Sequence, residues 1–572
     1  PLAGTPGRQG GTFLAPQRRG EERQGCPVAT DSDAPGRPGR QLNAAPKLEG
    51  GIMSNAKFSA GVERHVAVVE PPGPARAADT STGSPGMERY VAAAEQAARR
   101  RAADIAAMRR CRFDTIAVHG LYSMAEALDF NQGSVIEPIY MSTSQGYRDS
   151  DEMEAALSYQ IPTWCYSRIA NPSLYYLENV LALLEGYGLD GETSCCATAS
   201  GMAAIASATE PLIAVEPQAP HRPMNFVSMC QVYGGTFQFF NVRLARERNI
   251  ECRWIVDPTD LAEWEAKIDG NTRFLYGEIP SNPGQAFFDV RAVAELAHAR
   301  GIPLIVDSTV ATPALLRPLQ HGADIVVQSV TKTLTSSGFG IAGAVIARKD
   351  LACRVGPDEM KADFAMYLKR LPNRDYGPNL SPMNAIMSLN DIRTLRSKMD
   401  LFSRNTMQVA EHLAQHPQVE QVDYLGLPSH PLHGLASRYL FLVDAEHDLE
   451  YGKPTNRYGH LMSFRVKGGA ETARCMFDAL QRIWRATDLG RVKSVATIPA
   501  ISTHLQQGEE ARAMADVPPN LVRLCVGAEH PDDIIADLDQ ALAACDGDVE
   551  VSVPSSFSVG GASRERPREG GR

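Results

Sequence analysis

Apolar positions recur at helical spacing from Leu174 to Leu184 (Leu174, Leu177, Val180, Leu181, Leu184), which predicts an amphipathic helix over 174–187. Short unbroken apolar runs follow at 273–276, 303–306 and 324–327. Each is closed by polar or turn residues, and helical stretches such as 290–299 lie between them. Short buried strands alternating with helices predict a mostly parallel sheet covered by helices on both faces, an α/β fold. From about residue 380 the pattern changes. A long amphipathic segment (385–415) leads into strands at 418–424 and 460–466, a helix at 471–486, a strand at 521–526 and a last helix at 532–544. That order predicts a smaller α+β domain. There is no internal repeat.

The two ends lack such a pattern. Residues 1–52 are crowded with Gly, Pro, Arg and Gln, and 53–87 stay rich in Pro, Gly and Ser. Met53 is a candidate natural start. The rival, a transit peptide, is disfavoured by Glu21, Glu22, Asp31, Asp33 and Glu49, because such peptides are poor in acids. The Ala/Arg-rich stretch 88–110 favours helix. The expected division is a largely disordered extension (1–110), an N-terminal arm (111–175), a large domain (176–380), a C-terminal domain (381–548) and a disordered tail (549–572).

A net charge of −10 speaks against nucleic acid as a partner. No apolar run approaches the roughly 20 residues of a membrane span. The eleven cysteines include no Cys-x-x-Cys and no Cys/His ligand spacing, so no metal is expected. Reduced thiols in a cytoplasmic protein are the expectation.

Candidate chemistry begins at Asp307, which ends the apolar run Pro303–Val306 and so lies where open α/β sheets bind ligands. The next run closes on Ser329-Val-Thr331-Lys332. A lysine for a Schiff base, an acid for a pyridinium nitrogen and hydroxyls for a phosphate are the parts that pyridoxal phosphate (PLP) requires. Singly, each has a plainer account: a strand-end Asp often caps a helix, and a lone Lys is usually solvated.

Together with the segments around them, these residues resemble a family. Asp307-Ser-Thr-Val-Ala-Thr-Pro, Arg317-Pro-Leu-Gln-His-Gly-Ala-Asp324 and Ser329-Val-Thr-Lys332 are similar to the Cys/Met-metabolism PLP enzymes of trans-sulfuration. The likeness runs from about Phe113 to Ala544. It implies the PLP-dependent transferase fold of the aspartate-aminotransferase type (type I), with Lys332 bonded to PLP and Asp307 against the pyridine nitrogen. It makes Tyr233, of Tyr-Gly-Gly-Thr, the ring stacked on the cofactor and a proton-transfer group. Ser200-Gly201-Met202 would cradle the phosphate through backbone amides, with Ser329 and Thr331 adding hydroxyls and Thr309 also at the cofactor. Asn282, of Glu278-Ile-Pro-Ser-Asn-Pro, would serve the cofactor and the substrate carboxylate. Arg523, of Asn520-Leu-Val-Arg-Leu-Cys-Val-Gly, would clamp that carboxylate with Ser494 nearby, since an Arg in an apolar strand is costly unless paired. Tyr166 and Arg168, in the arm, would reach the phosphate of a neighbouring subunit, which requires a dimer at least and implies a homotetramer.

Departures from the family pattern are Ser336-Ser-Gly-Phe-Gly340 after the lysine and Ala199 before the phosphate turn. The implied chemistry is loss of a group from the γ-carbon of an amino acid, then addition of a nucleophile (replacement) or release of ammonia and an oxo acid (elimination). Gly235 stands where methionine γ-lyases commonly carry Cys. Cystathionine-handling members carry a Glu in a Ser-Leu-Gly-x-x-Glu-Ser-Leu segment. Aligned with Ser494–Ile501, that segment places Pro499 at the Glu. The segments Pro499–His504, Val526–Leu538, Gly426–Pro431 and Arg465–Gly469 look most like O-acetylhomoserine sulfhydrylases. The expected reaction is therefore attack of sulfide or a small thiol on O-acetyl- or O-succinylhomoserine, with a γ-lyase or a cystathionine γ-synthase as alternatives. A catalytically silent PLP-fold assembly partner is the reading from another class.

Overall fold

The computed structural model describes residues 85–162, 164–216, 221–445 and 454–545. All fall within one compact unit, Arg76–Arg572. Expectations for 1–84 and for the tail from 546 lie outside the described residues.

Seven strands form the large sheet: β1 (Thr193–Thr198), β2 (Asn225–Met229), β3 (Glu251–Ile255), β4 (Thr272–Glu278), β5 (Leu304–Asp307), β6 (Ile325–Gln328) and β7 (Gly343–Arg348). Their order is β1-β7-β6-β5-β4-β2-β3. Only β7 runs against its neighbours; every other pair is parallel. Strands β4, β5 and β6 are buried along their whole length. Being covered on both faces, they read as continuous apolar runs rather than alternating ones. The helix Pro172–Glu185 starts where the Asn171 side chain accepts the Ser173 amide, with Pro172 in the first turn.

The C-terminal sheet comprises β8 (Val419–Asp423), β9 (Leu461–Val466), β10 (Trp484–Arg485), β11 (Val495–Thr497) and β12 (Leu521–Cys525), in the order β10-β11-β12-β9-β8. Helices Leu395–Gln415, Ala470–Ala479 and Pro531–Ala543 pack on it around a second apolar core that includes Phe464, Met476, Val522 and Leu538. No helix among the described residues is long and apolar enough to cross a membrane.

Several expectations need correction. The segment 385–415 is two helices, Pro382–Ile392 and Leu395–Gln415, and Arg393 at the break pairs with the buried Glu137. The helix expected over 471–486 stops at Ala479. There Asp537 accepts the amides of Gln481 (2.9 Å), Arg482 (2.8 Å) and Ile483 (2.8 Å), which turns the chain into β10. The helix expected in the Ala/Arg-rich stretch 88–110, by contrast, is in place as Pro85–Met108, and Ile105 and Met108 pack against the large core. Finally, Cys475 and Cys545 form a disulfide. The other eight described cysteines are free, so the expectation of reduced thiols throughout fails for one pair.

Candidate active site

Parallel strands bring their carboxyl ends to one rim of the large sheet, and the candidate residues gather there. Strand β1 leads to Ser200, β2 to Tyr233, β4 to Glu278 and Asn282, β5 to Asp307 and Thr309, and β6 to Ser329, Thr331 and Lys332. A ligand at the ends of such strands meets loops from many parts of the sequence at once.

Asp307 is buried and accepts the Thr309 amide at 3.0 Å. Burial pushes its carboxyl up to about 6. The β4–β5 register sets Glu278 opposite Asp307, and burial together with the Asp307 charge raises Glu278 well above the ordinary range. Glu278 accepts the amides of Tyr233 (2.8 Å) and Asn282 (2.8 Å), so one buried side chain fixes two site loops. Tyr233 keeps its ring in the open, 39% exposed. A β-carbon on Gly235 would lie 2.5 Å from Tyr233 Cε1, so the glycine leaves room for the ring.

On the same rim the helix Gly201–Thr209 begins. Ser200 caps it, its hydroxyl oxygen accepting the Ala203 amide at 3.1 Å. The amides of Gly201 and Met202 precede the helix's own bonding and face outward as donors. Gly201 packs so closely on Ser329 that a β-carbon would approach the Ser329 Cβ to 2.6 Å. Thr309 accepts the Ser329 amide at 2.8 Å and so links this corner to Asp307.

Lys332 Nζ lies 2.7 Å from Asp488 Oδ1. Arg523, fully buried in β12, donates to the carbonyls of Asp488 (2.6 Å) and Thr487 (3.1 Å) and to Asn282 Oδ1 (3.2 Å). Its Nε is buried with no hydrogen-bond partner, a state that calls for an acceptor.

Two expected residues have other engagements. The Ser494 hydroxyl donates to Glu529 (3.0 Å) and accepts the Gly527 amide (2.9 Å), so Ser494 braces the turn after β12 rather than a substrate. The Thr331 hydroxyl donates to the Ala342 carbonyl and accepts its amide, both at 3.0 Å. That leaves it no donor for a phosphate. Tyr166 and Arg168 meet each other (5.4 Å, guanidinium to ring centre), and Arg168 donates to the Arg374 carbonyl. Among the described residues of the protomer, neither bonds the Lys332 turn.

Asp488 and Glu278 are functional neighbours that the sequence did not single out. The signal for Asp488 lay in Asp488-Leu-Gly-Arg-Val-Lys493-Ser494-Val. This stretch, not Ser494–Ile501, matches Ser-Leu-Gly-x-x-Glu-Ser-Leu. Gly490 shows why: at φ +74° it packs on the lysine turn, where a β-carbon would come within 2.5 Å of the Thr333 amide nitrogen. Lys493, not Pro499, therefore occupies the place of the Glu.

A buried carboxylate lacking a cation, outward amides at a helix start and an amine on the same rim describe a site for an anionic, nitrogen-containing ring. Residues 114–543 match the family described as Cys/Met metabolism PLP-dependent enzyme. The chain belongs to this family. Among its relatives, homocysteine synthase from Schizosaccharomyces pombe is 33% identical, the match covering 75% of this chain and 98% of that one. O-succinylhomoserine sulfhydrylase from Pseudomonas aeruginosa is 33% identical (76% and 95%), and L-methionine gamma-lyase from Pseudomonas putida 35% (76% and 97%). A crystal structure of a candidate O-acetylhomoserine (thiol)-lyase from Campylobacter jejuni, which carries a pyridoxyl-lysine phosphate, superposes with a TM-score of 0.67 at 32% identity, covering 76% of this chain and all of that one.

The protein is thus a PLP-dependent trans-sulfuration enzyme of the type I transferase fold, and its donor set fits PLP. The raised, buried Asp307 is short of the charge that a pyridinium N–H brings. The orphaned Arg523 Nε is short of the acceptor that an amino-acid carboxylate brings. Bound PLP supplies an electron sink for charge developing on the substrate's α-carbon.

Proposed function

We propose that the protein catalyses γ-replacement on an O-acylhomoserine, with O-acetylhomoserine as the first substrate to test, using sulfide or a small thiol and giving homocysteine or methionine. In this reading Lys332 bonds the cofactor and then moves the proton of the substrate's Cα. Asp307 keeps the pyridine nitrogen protonated, and Tyr233 stacks on the ring. Ser200, Gly201, Met202 and Ser329 hold the phosphate. Arg523 and Asn282 hold the substrate carboxylate, while Thr309 positions Asp307 and Ser329.

One observation carries the choice of substrate. Lys493 stands where cystathionine-handling members carry Glu, and a cation there repels cystathionine's distal ammonium. Gly235 in place of Cys speaks against a methionine γ-lyase, although relatives of that name are as similar as the sulfhydrylases. The test is one incubation of holoenzyme with O-acetylhomoserine and sulfide, with homocysteine, ammonia and oxo acid all measured. Homocysteine as the main product is the expected result; ammonia and 2-oxobutanoate in its place would make the protein a lyase.

We further infer a homo-oligomer, dimeric at least, in which Tyr166 and Arg168 complete the partner's phosphate site. The arm supports this, because Met124, Leu128, Phe130, Val135 and Met141 are exposed along it, large apolar side chains of the kind that a partner's surface covers. The cytoplasm remains the proposed compartment on the strength of eight free thiols, and the Cys475–Cys545 bridge weighs against it. Counting thiols in protein isolated under alkylating conditions decides between the two.

Asp307 also sets a pH dependence. Its carboxyl must be ionised to pair with the pyridinium, and burial has moved its titration up to about 6. PLP rebinding to apoenzyme should therefore weaken as pH falls through about 6, well above the ordinary Asp range, and equilibrium dialysis at a series of pH values measures it. Affinity that stays flat down to pH ~4.5 would contradict this role.

A further inference from the structure

Asp488 is held as firmly as the lysine it meets. Its Oδ1 lies 2.7 Å from Lys332 Nζ and accepts the Leu489 amide at 2.9 Å, while Oδ2 accepts Arg491 Nε. The Arg491 guanidinium also donates to the carbonyls of Thr331 (3.0 Å) and Thr335 (2.8 Å), so it straddles the turn that carries Lys332. Gly490 lets the two turns close on each other, and the Val492 amide bonds the Ser336 carbonyl at 3.1 Å. A carboxylate fixed in this way is part of the site's frame, not a surface acid that meets the lysine by chance.

The charged and titratable groups around it are few. Lys332 faces Asp488 from its own turn and Arg491 from the Asp488 loop. Arg523 reaches the Asp488 carbonyl from β12, and Cys525 of β12 accepts the Gly490 amide at 2.9 Å. His460, ahead of β9, pairs with Thr333 at 3.2 Å, and burial lowers it to about 4, so it is neutral. Asp307 and Glu278 stand at the ends of β5 and β4. Two cations, Lys332 and Arg491, therefore bond the Asp488 carboxylate, and Arg523 bonds the same residue's carbonyl. Burial works to raise the Asp488 carboxyl, but Lys332 and Arg491 outweigh it and hold it below the ordinary range.

We propose that Asp488 is the counter-ion of the Lys332 nitrogen in the lysine–cofactor bond of the resting enzyme, keeping that nitrogen protonated until substrate displaces the lysine. The inference rests on the assignment of Lys332 as the PLP lysine. An opposite charge within about 4–6 Å favours a group's charged form by roughly one to three pK units. A protonated nitrogen in the lysine–cofactor bond leaves the adjoining carbon more open to the incoming substrate amine. Asp488 thus extends the pH range over which the resting enzyme accepts substrate. Where cystathionine-handling members have Ser, a neutral hydroxyl, this chain places a full charge.

The test is a titration of the holoenzyme's visible spectrum from about pH 6 to about pH 10, comparing the protein with Asp488→Asn and Asp488→Ser. Deprotonation of the lysine–cofactor nitrogen moves the band, so its midpoint reads the nitrogen directly and without turnover. Both variants should lower the midpoint by at least about one unit, a tenfold change in the equilibrium. If the Asn variant fails to fold, the smaller Ser variant carries the comparison. Midpoints within about 0.3 unit of the parent protein's, even with a lower melting temperature, would reduce Asp488 to a structural ion pair. A visible band pinned to Lys332 but unmoved by either variant overturns only this inference. Loss of any visible band from the parent protein overturns the PLP assignment with it.

Discussion

Lys332→Ala should abolish the visible band of the purified protein and lower turnover by about 10³-fold or more, because one substitution removes both the cofactor's covalent anchor and the base for the α-proton. The fold should survive. Lys332 is a half-buried side chain whose charged partner, Asp488, keeps Arg491 as a second cation, so the substitution leaves no carboxylate buried and unpaired. A melting temperature close to the parent's, with colour and homocysteine formation both lost, is the combined signature. Retained activity at a tenth or more of the parent rate would mean that another group performs the chemistry.

The second large effect is expected at Arg523. Its guanidinium is wholly buried, three of its hydrogen bonds go to Asn282, Thr487 and Asp488, and its Nε stays without a partner. Removing the whole side chain would strand those acceptors in the interior, at a cost of several kcal/mol, and would confuse binding with folding. Arg523→Lys is the cleaner change, since it keeps the charge and loses the planar fork that grips a carboxylate. A charge-assisted hydrogen bond contributes about 1.5–3 kcal/mol, so KM for the amino-acid substrate should rise about 10- to 100-fold. The rate constant at saturation should change much less, the pattern of lost ground-state binding. Steady-state kinetics over a wide substrate range separates the two parameters. An unchanged KM would make Arg523 a structural tie between β12 and the 487–491 loop.

Much of this site was legible because its chemistry sits next to strong local signals. Asp307 and Lys332 follow fully buried strands whose apolar runs are unmistakable, and Tyr233, Asn282 and Arg523 lie in segments with recognisable neighbours. Strands β1, β2 and β3 gave a weaker signal, whereas β7 carries the apolar run Ala344–Ala347 and was passed over all the same. In β1, Thr-Ser-Cys-Cys-Ala-Thr has no apolar run, and its burial follows from pairing with β7. The end of the helix at Ala479 was invisible for a related reason: the group that stops it, Asp537, is more than 50 residues away. Asp488 went unremarked because it lies in a polar loop and meets Lys332 across 156 residues. Ser494 shows the opposite error, where a residue in a suggestive segment turned inward to Glu529. Side chains whose partners are distant in the chain gain their roles only when the strands are assembled.

The central claim is that Lys332 carries the cofactor, and reductive mapping tests it most directly. The purified holoenzyme is treated with borohydride, which fixes any lysine–cofactor bond, then digested and sequenced by mass spectrometry. The expected result is a phosphopyridoxyl mass on the peptide containing Lys332 and on no other. Finding it instead on Lys369 or Lys398, the half-buried lysines paired with Glu178 and Asp391, or on no lysine at all, would contradict the account.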